Sequence, residues 1–253
     1  MASFVLIHGS WHGGWCFDGL RARLEADGHE VITPDLPGMN GNAATLAATT
    51  LQGWADFTAD LCRSAVQRPL ILAGHSRGGI VISQAAESAP DAVDALIYVC
   101  AIMLPDGMSR VQFKGREDLN PAFDAIISPV CGGAGTVVDP VGGAEVFAQL
   151  SPPHLVKAAM ARLVSEPHGP RSTPLRLSAE RFGAIPRTYI ECTQDNVISI
   201  NSQRMMQALV PGADVVTLDA DHSPFFSQPN ALAATLIGVA ARLRARSARR
   251  DRD

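Results

Sequence analysis

Residues 72–81 read LAGHSRGGIV, a polar, glycine-rich centre set in an apolar frame. On its N-terminal side, residues 69–73 (PLILA) form a short apolar run rich in branched side chains, the pattern of a buried strand. On its C-terminal side, residues 80–87 (IVISQAAE) open a helix packed on a sheet. Between them, Gly74, Gly78 and Gly79 allow a very tight strand-to-helix turn with Ser76 at its apex. Such a turn pushes the serine out of the sheet and leaves its oxygen reachable.

Outward from this turn, strands alternate with helices. Strands are expected over residues 3–8, 30–33, 95–101, 187–192 and 214–218, and helices over 15–27, 51–66, 80–89, 202–209 and from 228 onward. This order implies an α/β fold: a mostly parallel sheet with helices on both faces. The rhythm breaks between about 105 and 183, a stretch rich in Pro and Gly with modest helical segments such as 154–164 and no buried strand pattern. It is too long for a plain loop. We read it as an inserted, mainly helical lid (105–183) on a core formed by residues 1–104 and 184–253.

The 253 residues, 47% hydrophobic and 18% charged, suit one such domain with a sizeable core. No apolar run is long enough to span a membrane, and the N-terminus enters a strand with no signal-peptide pattern. Five scattered cysteines (16, 62, 100, 131 and 192) fit reduced core residues of a cytoplasmic protein. The net charge of −4 argues against nucleic acid as a partner. The tail ARLRARSARRDRD, with six arginines and two aspartates, carries +4 and leaves −8 for the rest. It reads as a solvated last helix whose cations suit the negative end of the macrodipole, with an anionic partner as the alternative. Association as a homodimer stays open.

Ser76 needs a base to act as a nucleophile. Of seven histidines, His222 lies in a loop (LDADHSPFF) between the last strand and the last helix. Such loops gather at the carboxyl ends of parallel strands, where Ser76 also lies. A carboxylate must orient the imidazole. Asp195, in the loop after the preceding strand (YIECTQDNVIS), is favoured, with Asp106 second. Asp35 adjoins a proline and reads as a turn residue, Asp219 closes the last strand, and Asp221 adjoins His222 with its side chain expected to point away. The developing oxyanion calls for preset donors: the backbone N–H of Arg77 at the helix start, and that of Ser10 in the first loop, HGSWHGGW. Trp11 and Phe225 are candidate pocket walls, Trp11 equally a packing residue. No Cys/His spacing or nucleotide loop points to a metal or cofactor, and none is expected.

Together, FVLIHGSWHGGWCFDGL, GHSRGGIV, CTQDNVIS and DADHSPF resemble the α/β-hydrolase superfamily, in the branch of plant methyl-ester hydrolases, hydroxynitrile lyases and related bacterial esterases. The resemblance covers nearly the whole chain. It implies Ser76 as nucleophile, His222 as base, Asp195 as acid, and the Ser10 and Arg77 N–H groups as oxyanion hole. Hydroxynitrile lyases of this branch carry a lysine directly after the histidine, where this chain has Ser223. The branch usually places an apolar residue after the nucleophile, where this chain has Arg77. The Arg77 side chain can face solvent, bind a lid carboxylate or meet an acidic substrate; a structural ion pair is the favoured reading. The expected activity is cofactor-free serine hydrolysis of a small apolar ester or lactone. The rivals are a lyase or a C–C or amide hydrolase using the same site, and a ligand receptor on a hydrolase scaffold.

Overall fold

Alternation along each central strand decides the architecture. The computed structural model describes residues 1–118 and 120–250. The chain order of the first half is β1 (Ser3–Ile7), α1 (Asp18–Ala26), β2 (Glu30–Ile32), α2 (Ala43–Ala48), α3 (Leu51–Ser64), β3 (Leu70–His75), α4 (Gly78–Ser88) and β4 (Ala95–Val99). Phe4, Leu6, Ile71, Ala73, Ile97 and Val99 pack in one cluster, and Val5, Ile7, Leu70, Leu72, Leu96 and Tyr98 in another. Both faces are therefore covered, and the strands read as continuous apolar runs.

The insertion follows β4. It carries α5 (Arg110–Lys114), α6 (Pro121–Ala125), β5 (Ile127–Val130), β6 (Gly135–Val138), α7 (Pro140–Phe147), α8 (Pro153–Met160), β7 (Glu166–Pro167) and α9 (Gly169–Ser172). The core then resumes with β8 (Arg187–Cys192), α10 (Ile200–Leu209), β9 (Ala213–Leu218), α11 (Pro224–Ser227) and α12 (Pro229–Arg250). The main sheet has the order β2-β1-β3-β4-β8-β9 with every neighbouring pair parallel. The arginine-rich segment continues α12 as far as residue 250; residues 251–253 lie outside the described residues.

Two features depart from the sequence reading. The insertion holds a three-stranded antiparallel sheet, β5-β6-β7, besides its helices. Its strands are only two to four residues long; β5 and β6 are partly exposed, β5 contains Pro129, and β7 is a buried Glu-Pro pair, so neither apolar run nor alternation marks them. The helix α2 also lacked a strong period. Its signal is the cap, where the Asn42 side chain accepts from the Thr45 N–H at 3.0 Å.

The turn from β3 to α4 rests on backbone contact. Ser76 adopts φ +53°, in the left-handed region. A methyl group on Gly78 would lie 2.6 Å from the Ile7 carbonyl oxygen, and one on Gly79 would lie 2.3 Å from that of Ile102. The first turn of α4 therefore lies directly on the edges of two neighbouring chain segments. Gly79→Ala should lower the unfolding free energy by about 1–3 kcal/mol or more, the cost of overpacking a closed contact. Urea denaturation of the variant beside the parent checks this, and an unchanged midpoint would contradict it.

Candidate active site

Ser76 stands at the carboxyl end of β3. Its N–H donates to the Val99 carbonyl at 3.2 Å, and its carbonyl accepts from the Ile102 N–H at 2.8 Å. The elbow is thus tied to the strand beside it. His222 comes from the loop after β9. Its carbonyl accepts from His75 Nε2 at 2.7 Å and from the Cys100 thiol at 3.6 Å. His222 Nε2 lies 3.0 Å from Ser76 Oγ, and His222 Nδ1 lies 2.7 Å from Asp195 Oδ2. The other oxygen of Asp195 accepts from the N–H groups of Val197 and Ile198 at 2.7 and 2.8 Å. All three side chains are buried. With the Asp195 carboxylate ionised, the tautomer that fits has its proton on Nδ1 and its Nε2 lone pair toward the serine hydroxyl.

The competing carboxylates are engaged elsewhere. Asp106 accepts from the Leu177 N–H at 2.8 Å, within the insertion. Asp35 accepts from the Gly14 N–H at 2.7 Å, and Asp219 takes the Thr193 and Gln194 side chains. Asp221 points away from the ring of its neighbour. It accepts from the Leu150 N–H, the Ser151 hydroxyl, the Ser223 N–H and the Ser227 hydroxyl, at 2.7 to 3.0 Å. Among the described residues, the N–H groups of Ser10 and Arg77 have no protein acceptor. Both residues line a cavity above Ser76.

That cavity encloses about 40 Å³, room for a few water molecules. Trp11 is one of its walls, and the Trp11 Nε1–H also donates to Thr136 Oγ1 of β6 at 3.1 Å, so it both lines the cavity and ties the insertion to the first loop. Phe123 and Phe147 of the insertion complete the aromatic side. Phe225 is a correction: it is buried behind the site and does not line the cavity. Its ring meets His75 edge-on at 5.0 Å and packs on Phe17 and Phe226, in the core cluster that α1 and α12 cover.

The Arg77 side chain is buried and turned away from solvent. Its Nε lies 3.2 Å from Glu166 Oε2 of β7, one Nη–H donates to the Gly9 carbonyl at 3.0 Å, and the guanidinium stacks 4.2 Å over Trp54. Burial lowers its pKa to about 10, with Glu166 opposing the shift, so it is charged at neutral pH. The sequence reading missed Arg110, Glu166 and Arg171, which the insertion also contributes to the cavity lining. Their spacing carries no local motif; only the fold brings them together.

His75, Cys100 and His222 place ligating atoms within 4.8 Å of one another. Each already has an internal partner in the hydrogen bonds above, and burial raises the Cys100 thiol well above its usual range.

Three further histidines are held neutral. His8 donates from Nδ1 to the Gly9 carbonyl at 2.8 Å and accepts at Nε2 from the Leu36 N–H at 3.0 Å, so both nitrogens suit the uncharged ring. Burial, with the charge of Arg77 added, lowers its pKa to about 3. Burial lowers that of His12 to about 4 and holds His75 well below the usual histidine range. In the unfolded chain these rings take up protons near pH 6.5. Between pH 6.5 and about 4 the unfolded state therefore binds more protons, and stability should fall as pH falls. The expected slope is about 1.4 kcal/mol per pH unit for each ring. Urea midpoints measured from pH 7.5 to 4.5 check this, and a flat profile below pH 6.5 would contradict it.

Comparison with known proteins places this geometry. The alpha/beta hydrolase family model matches residues 4–235. A pyrethroid hydrolase of Sphingobium wenxiniae is 33% identical over 248 residues, covering 95% of this chain and 88% of that protein. A putative chloroplastic methylesterase of Arabidopsis thaliana is 31% identical over 249 residues, covering 94% of this chain and 71% of that protein. Among solved structures, a pyrethroid hydrolase from Sphingobium faniae superposes with a TM-score of 0.82 at 32% identity, over 95% of this chain and 97% of that one. Polyneuridine aldehyde esterase superposes with a TM-score of 0.83 at 23% identity, over 94% and 99%, a likeness of fold. In sequence over nearly its whole length, and in the folding of its sheet, the chain belongs to the alpha/beta hydrolase family.

Proposed function

We propose that the chain hydrolyses a carboxylic ester, or its cyclic counterpart a lactone, by a two-step acyl transfer that needs no cofactor. The single observation that carries this reading is the hydrogen-bonded line Asp195–His222–Ser76, with contacts of 2.7 and 3.0 Å. In the first step Ser76 Oγ attacks the carbonyl carbon while His222 Nε2 takes its proton. The oxyanion that forms is held by the N–H groups of Ser10 and Arg77, the latter at the N-terminus of α4 where the helix dipole favours negative charge. His222 then hands the proton to the leaving alcohol. In the second step the same nitrogen deprotonates water, which releases the acid from the serine. Asp195 fixes the tautomer and stabilises the imidazolium, and its own position is fixed by the two N–H donors at residues 197 and 198.

The names of the relatives, methylesterases and a pyrethroid hydrolase, support ester chemistry. Ser223, directly after the histidine, is buried and offers no cation for cyanide, which favours hydrolysis over cyanohydrin cleavage. No helix among the described residues is long and apolar enough to cross a membrane. A cytoplasmic setting rests on the five cysteines, all of them free thiols. The substrate is a small molecule; neither nucleic acid nor membrane enters the reading.

Ser76→Ala and His222→Ala should each lower kcat/KM for an aryl ester by about 10⁴-fold or more, with unchanged melting temperatures. The double variant should be no slower than either single one, since the groups act as a unit. Asp195→Asn should lose about 10⁴-fold by presenting the wrong tautomer, whereas Asp106→Asn should retain activity. A serine-directed phosphonate should leave one adduct, on Ser76, and dialysis against a strong chelator should leave the rate unchanged. Full turnover by Ser76→Ala, or an adduct at another residue, overturns the assignment.

A further inference from the structure

The cavity over Ser76 holds more charge than ester cleavage uses. Arg110 at the start of α5, Glu166 of β7 and Arg171 of α9 converge from the insertion on Arg77 of the elbow. Its lining thus carries three guanidinium groups against the single carboxylate of Glu166. Glu166 is 1% exposed; it lies 3.2 Å from Arg77 Nε and 3.9 Å from Arg171 Nη1. One carboxylate is therefore shared by two cations. Arg110 pairs through Nη2 with Glu117 at 2.8 Å, and that carboxylate is not part of the lining. Arg110 Nη1 is buried and has no hydrogen-bond partner among the described residues. The same holds for Arg77 Nη1. A buried, charged N–H without an acceptor is costly, and a ligand that brings an acceptor relieves that cost.

We propose, resting on the serine-hydrolase reading above, that the natural substrate is an ester bearing a free carboxylate, which docks on Arg110 Nη1 and Arg171 while its ester carbonyl lies at Ser76. Arginine suits this task because its planar fork matches a carboxylate with two parallel hydrogen bonds. The apolar side of the cavity, Trp11, Phe123 and Phe147, then covers the carbon chain between the two polar ends. Both cations belong to the insertion, so the charged end of the substrate ties the lid to the core while the chemistry proceeds. The reaction consumes one water and yields an alcohol and an acid, one of which retains the docked carboxylate.

The test compares charged esters with neutral isosteres in two pairs. One is p-nitrophenyl hydrogen glutarate against p-nitrophenyl pentanoate; the other is 4-carboxyphenyl acetate against phenyl acetate. Each kcat/KM is divided by the ester's rate of alkaline hydrolysis. In at least one pair the charged ester should be preferred by about tenfold or more, the worth of a hydrogen bond to a charged group. Arg110→Gln should lower that ratio by about tenfold, and Arg110→Lys should keep part of it. Arg171→Gln serves as the second variant if Arg110→Gln does not fold, as judged by its melting curve. Ratios at or below one in both pairs, or a preference that neither glutamine variant reduces, overturn the proposal while leaving the serine-hydrolase reading in place. If no ester of either pair is turned over, that reading fails instead, and calorimetry with glutarate on the Ser76→Ala protein decides the anion site by itself. Binding weakened by Arg110→Gln supports the site, and absent binding or binding indifferent to the substitution overturns it.

Discussion

The position of Ser76 depends on how closely one helix can lie on a sheet. The first turn of α4 rests against the carbonyl oxygens of Ile7 and Ile102, at separations that admit a hydrogen atom and nothing larger. That contact forces the chain to reverse within the residues between β3 and α4, and it leaves Ser76 in a left-handed conformation with its hydroxyl outside the sheet. The strain is held because the serine's own peptide groups are bonded to the neighbouring segment at Val99 and Ile102. The N–H of Arg77 is left without a protein acceptor by the same geometry. A nucleophile and half of an anion-binding site thus follow from one steric constraint.

The second requirement is the placement of an imidazole beside that hydroxyl. His222 is positioned through its main chain, by His75 and Cys100 on its carbonyl, and through its ring, by Asp195. His75, adjacent to the nucleophile in sequence, therefore acts as the prop of the histidine loop. Burial keeps His75 uncharged, which preserves its single N–H for that carbonyl and keeps a second positive charge away from the reacting centre.

The core was legible because its signals are local. The glycines around Ser76, the apolar run of β3 and the loop positions of Asp195 and His222 each lie within a few residues, and parallel topology brings strand ends together without further information. Asp195 was separable from Asp106 by its place after the strand next to that of His222, and the structure puts these two side chains in contact. The insertion between β4 and β8 was legible only as an interruption. Its strands are two to four residues long, too short to show a period, and they pair with one another within the insertion. The charged lining was invisible for a related reason. Arg77 and Glu166 are 89 positions apart, and only the folded insertion makes them neighbours. Phe225 misled because it follows His222 so closely; a helical turn sends it to the opposite side.

Asp221 joins two parts of the molecule that the sequence keeps apart. One of its oxygens holds the chain at Leu150 and Ser151, and the other holds Ser223 and Ser227, directly after His222. A single carboxylate is therefore the common footing of the insertion and of the base. Movement of the chain at 150–151 cannot be mechanically private: it pulls on the same anchor that sets the height of the imidazole above the serine. The segment that follows α5 is tied instead to the loop of the acid: Asn120 Nδ2 donates to the Asn196 carbonyl at 2.6 Å and the Ser199 hydroxyl to the Asp118 carboxylate at 3.3 Å. The insertion thus grips the base and the acid at two separate points around a cavity of about 40 Å³, and the alignment of both depends on how it is seated.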